Sequence, residues 1–232
     1  MTDSRMRIEA IELGNEREPL AVVDNFFPAA DHLASVAKER PFTVANSFYP
    51  GLRSAAPNQY LAAIHQLLQN YLWEIFGFEK DAIESIDSAF SVISRRPEEL
   101  STLQRIPHFD TPQREGLACV HYLFPETSGY GGTSFYRHKR TGYEYVDAER
   151  FPLYKASLEE DLREHGLTEP PRYVLGDTDI FSRYASQEAR FNRALFYRAS
   201  SLHSGDIKPD HSYDPNPETG RLTMTAFIQL RS

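Results

Sequence analysis

His108-Phe109-Asp110 sets an imidazole and a carboxylate two residues apart, and a second imidazole, His203, lies far downstream with Arg221 beyond it. Two imidazoles and one carboxylate are the ligand set of the facial triad, which holds Fe(II) on one side and leaves positions open for O2 and a co-substrate. On an extended segment residues i and i+2 face the same way, so both side chains of the motif can reach one ion. Pro107 and Pro112 confine the motif to a strand end or a rigid turn. An H-x-D alone is a weak signal. With eight His and thirteen Asp in 232 residues, chance supplies roughly half an occurrence, so the elements around it must carry the weight.

Those elements are consistent. A strand-like run from Leu117 to Phe124 follows the motif, and a loop then closes on Gly131-Gly132-Thr133-Ser134-Phe135. The alternating run from Arg190 to Tyr197 leads to Leu202-His203 and would deliver His203 to the rim of a barrel. His211, in the turn-rich segment from Asp210 to Pro215, is a rival ligand held less firmly. Arg221 opens the last strand, and period two places Arg221, Thr223, Thr225 and Phe227 on one face. Burying an unpaired guanidinium costs several kcal/mol; the carboxylate of a bound ligand, as a bidentate pair, or an internal acid would satisfy it. By the same parity Ala118, Val120, Tyr122 and Phe124 share a face, and Cys119, His121 and Leu123 the other. With Tyr122 facing inward, His121 becomes a structural histidine on the outside. His32, His65, His138 and His165 read as structural or exposed.

The ordered set of H-x-D, Tyr122-Leu123 strand, GG-containing hairpin, distal His and late Arg resembles the prolyl-hydroxylase-type branch of the Fe(II) and 2-oxoglutarate dependent dioxygenases. Val22 to Pro28 is similar to that family's opening strand, and the likeness spans about residues 20 to 230. The resemblance implies a mainly β fold with flanking helices, a double-stranded β-helix (jelly roll, cupin-like) whose N-terminal helices pack on the outer sheet. It implies Fe(II) held by His108, Asp110 and His203, with 2-oxoglutarate as co-substrate and O2 as oxidant. The implied activity is hydroxylation of a substrate coupled to decarboxylation of 2-oxoglutarate. Carried over residue by residue, Arg221 would grip the far carboxylate of 2-oxoglutarate, Tyr122 would assist, and Thr225 would add a hydrogen bond, with Thr223 as its alternative. Eighteen residues separate His203 from Arg221, so residues 209 to 220 must loop out before the final strand. Two other readings use the same residues: a cupin-like metal enzyme without 2-oxoglutarate, and a non-catalytic β-barrel binding module.

Length and composition set the frame. A chain of 232 residues without repeats supports one domain spanning residues 1–232. A net charge of -8 speaks against nucleic acid, whose phosphates select a basic surface. Arg137-His138-Lys139-Arg140 is the one dense basic stretch, read as a solvated loop or an anionic-substrate contact. A single cysteine, Cys119, excludes an internal disulfide. The absence of an apolar leader or a membrane-length apolar stretch points to a cytoplasmic protein without a membrane partner. Helical spacing predicts helices over about 29–39 and 58–76, the second stopped by Gly77. Residues 137–190 read as an insertion over the barrel mouth, holding a helix from Leu153 to His165 capped by Gly166 and a short strand at Tyr173-Val174-Leu175. Its tyrosines would line a pocket for a small-molecule, amino-acid or peptide substrate, or else form a mini-core. Oligomeric state is not legible.

Overall fold

The computed structural model describes residues 5–44 and 48–231, and the described part opens on a strand. That strand, β1 (Arg7–Leu13), pairs antiparallel with β2 (Glu18–Asp24) from Arg7 opposite Asp24 to Leu13 opposite Glu18. There follow β3 (Thr43–Val44), β4 (Gly51–Ala55), β5 (Ile83–Ile93), β6 (Leu117–Tyr122) and β7 (Thr133–His138). The last four are β8 (Phe181–Gln187), β9 (Ala194–Arg198), β10 (His203–Gly205) and β11 (Leu222–Leu230). Eight strands form the larger sheet in the order β1-β2-β9-β6-β11-β5-β4-β3, and three form a smaller one, β10-β7-β8, all neighbours antiparallel.

Parity divides the larger sheet into two apolar faces. Cys119, Leu123, Phe196, Met224 and Ile228 join an outer cluster with the helices. Ala118, Val120, Tyr122, Leu195 and Tyr197 join an inner one with Phe135 of the smaller sheet, so the two sheets pack face to face. Central strands covered on both sides must be apolar throughout, and β6 is buried at all six positions. The outer helices are α1 (Ala30–Lys38) and a rod in which α2 (Asn58–Leu67) runs through a π-helical turn (Leu68–Leu72) into α3 (Trp73–Phe76). Gly77 ends it at φ +63°, a conformation open to glycine without steric cost. No helix among the described residues is long and apolar enough to cross a membrane.

The stretch 137–190 departs from its sequence reading in three ways. Its ends are sheet, since β7 runs to His138 and β8 occupies 181–187, leaving 139–180 outside the sheets. The helix, α4 (Phe151–His165), starts two residues before Leu153, because Pro152 fits the first turn, where its missing N–H is not needed. No strand forms at 173–175. Pro170 and Pro171 lead into an unpaired segment whose Tyr173 donates to the Arg95 carbonyl (2.8 Å) and stacks on Tyr213. The tyrosines divide accordingly: Tyr136 and Tyr154 are buried with Val146, Leu158, Val174 and Phe181 in a mini-core, and Tyr143 packs against it.

The side chains of the basic quartet are engaged by the fold, although Lys139 and Arg140 lie in an exposed turn. Arg137 Nε donates to Glu144 (2.9 Å), His138 Nε2 meets Asp161 (2.8 Å), and Lys139 Nζ donates to the Thr178 carbonyl (2.6 Å). Arg140 reaches Asp161 (2.7 Å), Glu160 (3.0 Å) and Glu164. These contacts fasten α4 and residues 141–144 to the end of β7.

Candidate active site

His108 and His203 form a single antiparallel bridge: His108 N–H donates to the His203 carbonyl (2.9 Å) and His203 N–H to that of His108 (2.8 Å). The H-x-D motif therefore sits on one bridge beside β10 and not on a full strand. Asp110 N–H closes the turn on the Ala199 carbonyl (2.7 Å). Phe109 lies between the two ligand residues and packs on Phe151 (6.1 Å) and Tyr154 (6.0 Å) of α4. Alternation does the rest: with Phe109 packed against the mini-core, its neighbours face the opposite way.

The structure brings His108, Asp110 and His203 together, one ligand atom of each within 4.8 Å of the others. His108 Nε2 is 3.9 Å from Asp110 Oδ1, and His203 Nε2 is 3.7 Å from Asp110 Oδ2. Both gaps exceed hydrogen-bond length, and the Asp110 carboxylate accepts no other side-chain hydrogen bond among the described residues. Side-chain exposure falls from 50% at His108 to 16% at Asp110 and 7% at His203, so the group opens to solvent on one side. His203 Nδ1 bonds to the Ser201 carbonyl (2.9 Å), which puts its proton there and leaves Nε2 as the lone-pair donor. Burial pushes the His203 imidazole down to about 4. Burial, and then the neighbouring His203, lowers His108, while burial raises Asp110. Two neutral imidazoles and a carboxylate without a proton donor suit a divalent cation, and the donor set matches Fe(II) with open positions. A second cluster, Asp161, Glu164 and His165, is already engaged by Arg140 and His138.

Arg221 immediately precedes β11 and is 3% exposed. Its Nε donates to the Gly131 carbonyl (3.2 Å), and its Nη2 to those of Gly131 (3.1 Å) and Gly132 (3.0 Å). The two glycines let this hairpin backbone pass close to its neighbours: a Cβ on Gly131 would lie 2.1 Å from the Asp206 carbonyl oxygen, and one on Gly132 1.8 Å from that of Gln187. The rings of Tyr122 and Phe124 stand 5.7 and 5.6 Å from the guanidinium. No carboxylate of the described residues pairs with it. The fork expected to meet a ligand carboxylate is thus partly committed to the hairpin, and Nη1 remains for a ligand.

The other candidates lie on the same inner face with partners of their own. Tyr122 Oη shares a hydrogen bond with Thr133 Oγ1 (2.8 Å). Thr225 Oγ1 bonds to Ser91 Oγ (3.0 Å) and Thr223 Oγ1 to the Ser91 carbonyl (3.3 Å), so both hydroxyls engage β5. Thr225 lies four residues along the strand from Arg221, roughly 13 Å at strand rise, whereas Thr223 is half as far. His121 faces the outer cluster, stacked on Tyr60 and bonded to Asn192 Oδ1 (3.0 Å).

Two residues, Thr133 and Arg53, escaped the sequence reading, and a third, His211, stands apart from the ligand cluster it was weighed for. Thr133 follows the glycine pair and meets Tyr122. His211 is no part of the metal cluster; it is 8% exposed between Tyr130 (4.7 Å) and Tyr213 (4.9 Å), its Nε2 lacks a partner, and burial, then the Arg221 charge, pushes it down to about 4. The loop from 206 to 220 therefore returns to the Arg221 end of the site. Arg53 of β4 lies over the rings of Tyr49 (4.6 Å) and Phe227 (5.8 Å), and its charge is felt at Asp110.

Among solved structures the chain is similar to HygX from Streptomyces hygroscopicus, crystallised with nickel and 2-oxoglutarate, at 11% identity and a TM-score of 0.51 over 91% of this chain and 82% of that one. A prolyl-4-hydroxylase from Pseudomonas putida aligns at 14% identity and a TM-score of 0.49 over 94% and 95%. The alpha ketoglutarate dependent epimerase SnoN from nogalamycin biosynthesis aligns at 13% and 0.48 over 94% and 82%. At such identity the likeness to HygX is one of fold. No curated protein matches. A family of unknown function, DUF6445, matches residues 4–228, and the chain therefore belongs to it.

Proposed function

We propose that the protein is a non-haem iron oxygenase on a double-stranded β-helix, coupling 2-oxoglutarate decarboxylation to hydroxylation of a substrate. One observation carries this reading. Two imidazoles and a carboxylate converge at one mouth of the inter-sheet space, while a buried guanidinium without a carboxylate partner waits on the inner face beyond it. The first group suits Fe(II), and the second suits the far carboxylate of a keto diacid. Bound Fe(II) with 2-oxoglutarate and O2 would supply the oxidising chemistry. The chain's own residues divide the remaining work. His108, Asp110 and His203 would hold the metal, and the Ser201 carbonyl orients His203. Arg221 would take the carboxylate through Nη1, with Tyr122 and Thr133 beside it. Val120, Leu195, Tyr197 and Phe135 line the inner cluster and exclude water from the space between. A cupin-like enzyme without 2-oxoglutarate would give Arg221 no anion to hold.

The test is succinate formation by purified protein given Fe(II), 2-oxoglutarate and air without any substrate, with Asp110→Ala as control. The control should fold, because only the Asp110 backbone is bonded into the structure, and should lose both Fe(II) and turnover. Stoichiometric Fe(II) in the wild type with no succinate formed would refute the co-substrate, and metal retained by Asp110→Ala would refute the triad.

A further inference from the structure

We propose that Arg53 anchors a carboxylate of the substrate, so that substrate and co-substrate are held by separate guanidiniums on one sheet face; this rests on the oxygenase reading above. The placement comes from register. Arg53 stands opposite Ser91, Ser91 opposite Thr223, and Thr223 opposite Tyr122, one row across β4, β5, β11 and β6. Residues directly opposite in antiparallel strands share a face, so Arg53 is on the inner face with Tyr122.

Four other arginines that are partly or fully buried pair with acids: Arg114 with Glu18, Arg137 with Glu144, Arg150 with Glu16 and Arg193 with Asp24, and Arg198 donates to backbone carbonyls. Arg53 pairs with no carboxylate among the described residues. Unlike Arg221 it has no backbone carbonyl either, and its Nε is shielded from water without a hydrogen-bond partner. A desolvated donor on a fixed cation calls for an acceptor that the fold does not supply. The rings of Tyr49 and Phe227 lie 4.6 and 5.8 Å from the Arg53 guanidinium carbon, and the planar edge of a guanidinium is the side that takes a carboxylate.

The two guanidiniums serve different ends of the site. Arg221 turns toward the carbonyls of 131–132, whereas Arg53 leans along the sheet to Phe227, which stands opposite Ala118. Ala118 in turn stands opposite Tyr197, whose ring is 4.8 Å from His203. Arg53 therefore leans toward the level of the ligand cluster. One monocation with ring faces suits a monoanionic carboxylate; a phosphate dianion would call for more positive charge. The net charge of -8 disfavours a polyanion. The substrate class is thus a small carboxylic acid, with the carbon to be oxidised held near the metal by that anchor.

The experiment uses the full chain loaded anaerobically with Fe(II) and 2-oxoglutarate. The probes are 3-phenylpropionate and N-acetyl-leucinate, each against its primary amide, read by perturbation of the charge-transfer absorption and by thermal shift. We expect at least one carboxylate to bind about tenfold or more tighter than its amide, as a charge-assisted bond predicts. Arg53→Gln should erase that preference and Arg53→Lys keep part of it, both with 2-oxoglutarate affinity within about twofold of wild type. Carboxylates binding no better than amides would overturn the proposal. So would Arg53→Gln weakening 2-oxoglutarate as severely as Arg221→Ala does, since Arg53 would then serve the co-substrate. A failure of the oxygenase reading looks different: no charge-transfer absorption develops with 2-oxoglutarate, while the thermal-shift arm still reports on Arg53.

Discussion

Replacing Arg221 tests both halves of its environment. Arg221→Ala removes the cation facing the co-substrate and the three donations to the Gly131 and Gly132 carbonyls. For the ligand, truncating one partner of a buried charge-assisted pair costs about 2–5 kcal/mol, which is roughly thirty-fold to several thousand-fold in 2-oxoglutarate affinity. For the fold, two carbonyls lose their donors at about 1–3 kcal/mol each when left dry. The vacated space admits water, so a total loss of about 2 kcal/mol is expected. Arg221→Lys keeps the charge, but one ammonium cannot satisfy both hairpin carbonyls and a carboxylate together, so an intermediate loss of about ten- to hundred-fold follows. Fe(II) affinity measured without 2-oxoglutarate should not change, because Arg221 is absent from the ligand cluster. Anaerobic titration of 2-oxoglutarate into the Fe(II) protein, followed by charge-transfer absorption, reads the first quantity, and urea unfolding reads the second. Wild-type 2-oxoglutarate affinity in Arg221→Ala would refute the assignment and favour an enzyme without that co-substrate. Unchanged stability would refute the hairpin role.

The remaining predictions concern the scaffold. Hydrogen exchange of α4 should be slow in the metal-free protein and change little with ligands, because the His138, Arg140 and mini-core contacts hold the segment without them; exchange at loop rates that ligands suppress would make residues 139–180 a mobile lid. His121 is buried with its pKa pushed down to about 4 from 6.5, the Asn192 bond opposing. The unfolded chain therefore binds the proton more readily, so stability is full above about pH 6.5 and falls as pH drops toward 4. Between pH 7.5 and 5 this one group should remove about 2 kcal/mol, and His121→Gln should show a correspondingly shallower decline in urea unfolding; parallel pH profiles for the two proteins would refute the assignment.

What the sequence could show, it showed through local period and order. His108 and Asp110 are two apart, and Tyr122 and His121 are adjacent, so parity alone assigns their faces. Reach is another matter. Thr225 has the right parity for Arg221 but bonds to Ser91, because which hydroxyl meets which neighbour depends on the register with β5. Arg53 was invisible for the same reason: Gly-Leu-Arg-Ser-Ala has no alternation to mark β4 as a strand, and its place on the inner face is fixed by Ser91, 38 residues away. The basic quartet misled because the acids of His138 and Arg140 come from α4, some twenty residues on, a pairing that exists only once the helix docks.

That docking also changes what the segment before β8 is for. Its sequence suggested a cover over the site, but it also meets the chemistry from behind, at Phe109, the middle residue of the H-x-D motif, which packs on Phe151 and Tyr154, and at residues 200–202, whose backbone bonds to Glu144 and Val146. A motif resting on a single bridge to β10 has little ladder to fix it. With the middle side chain packed behind them, the three residues present the other two forward. Side-chain packing from α4 thus supplies the orientation that a longer strand would otherwise provide, and the helix serves the ligand face as its support.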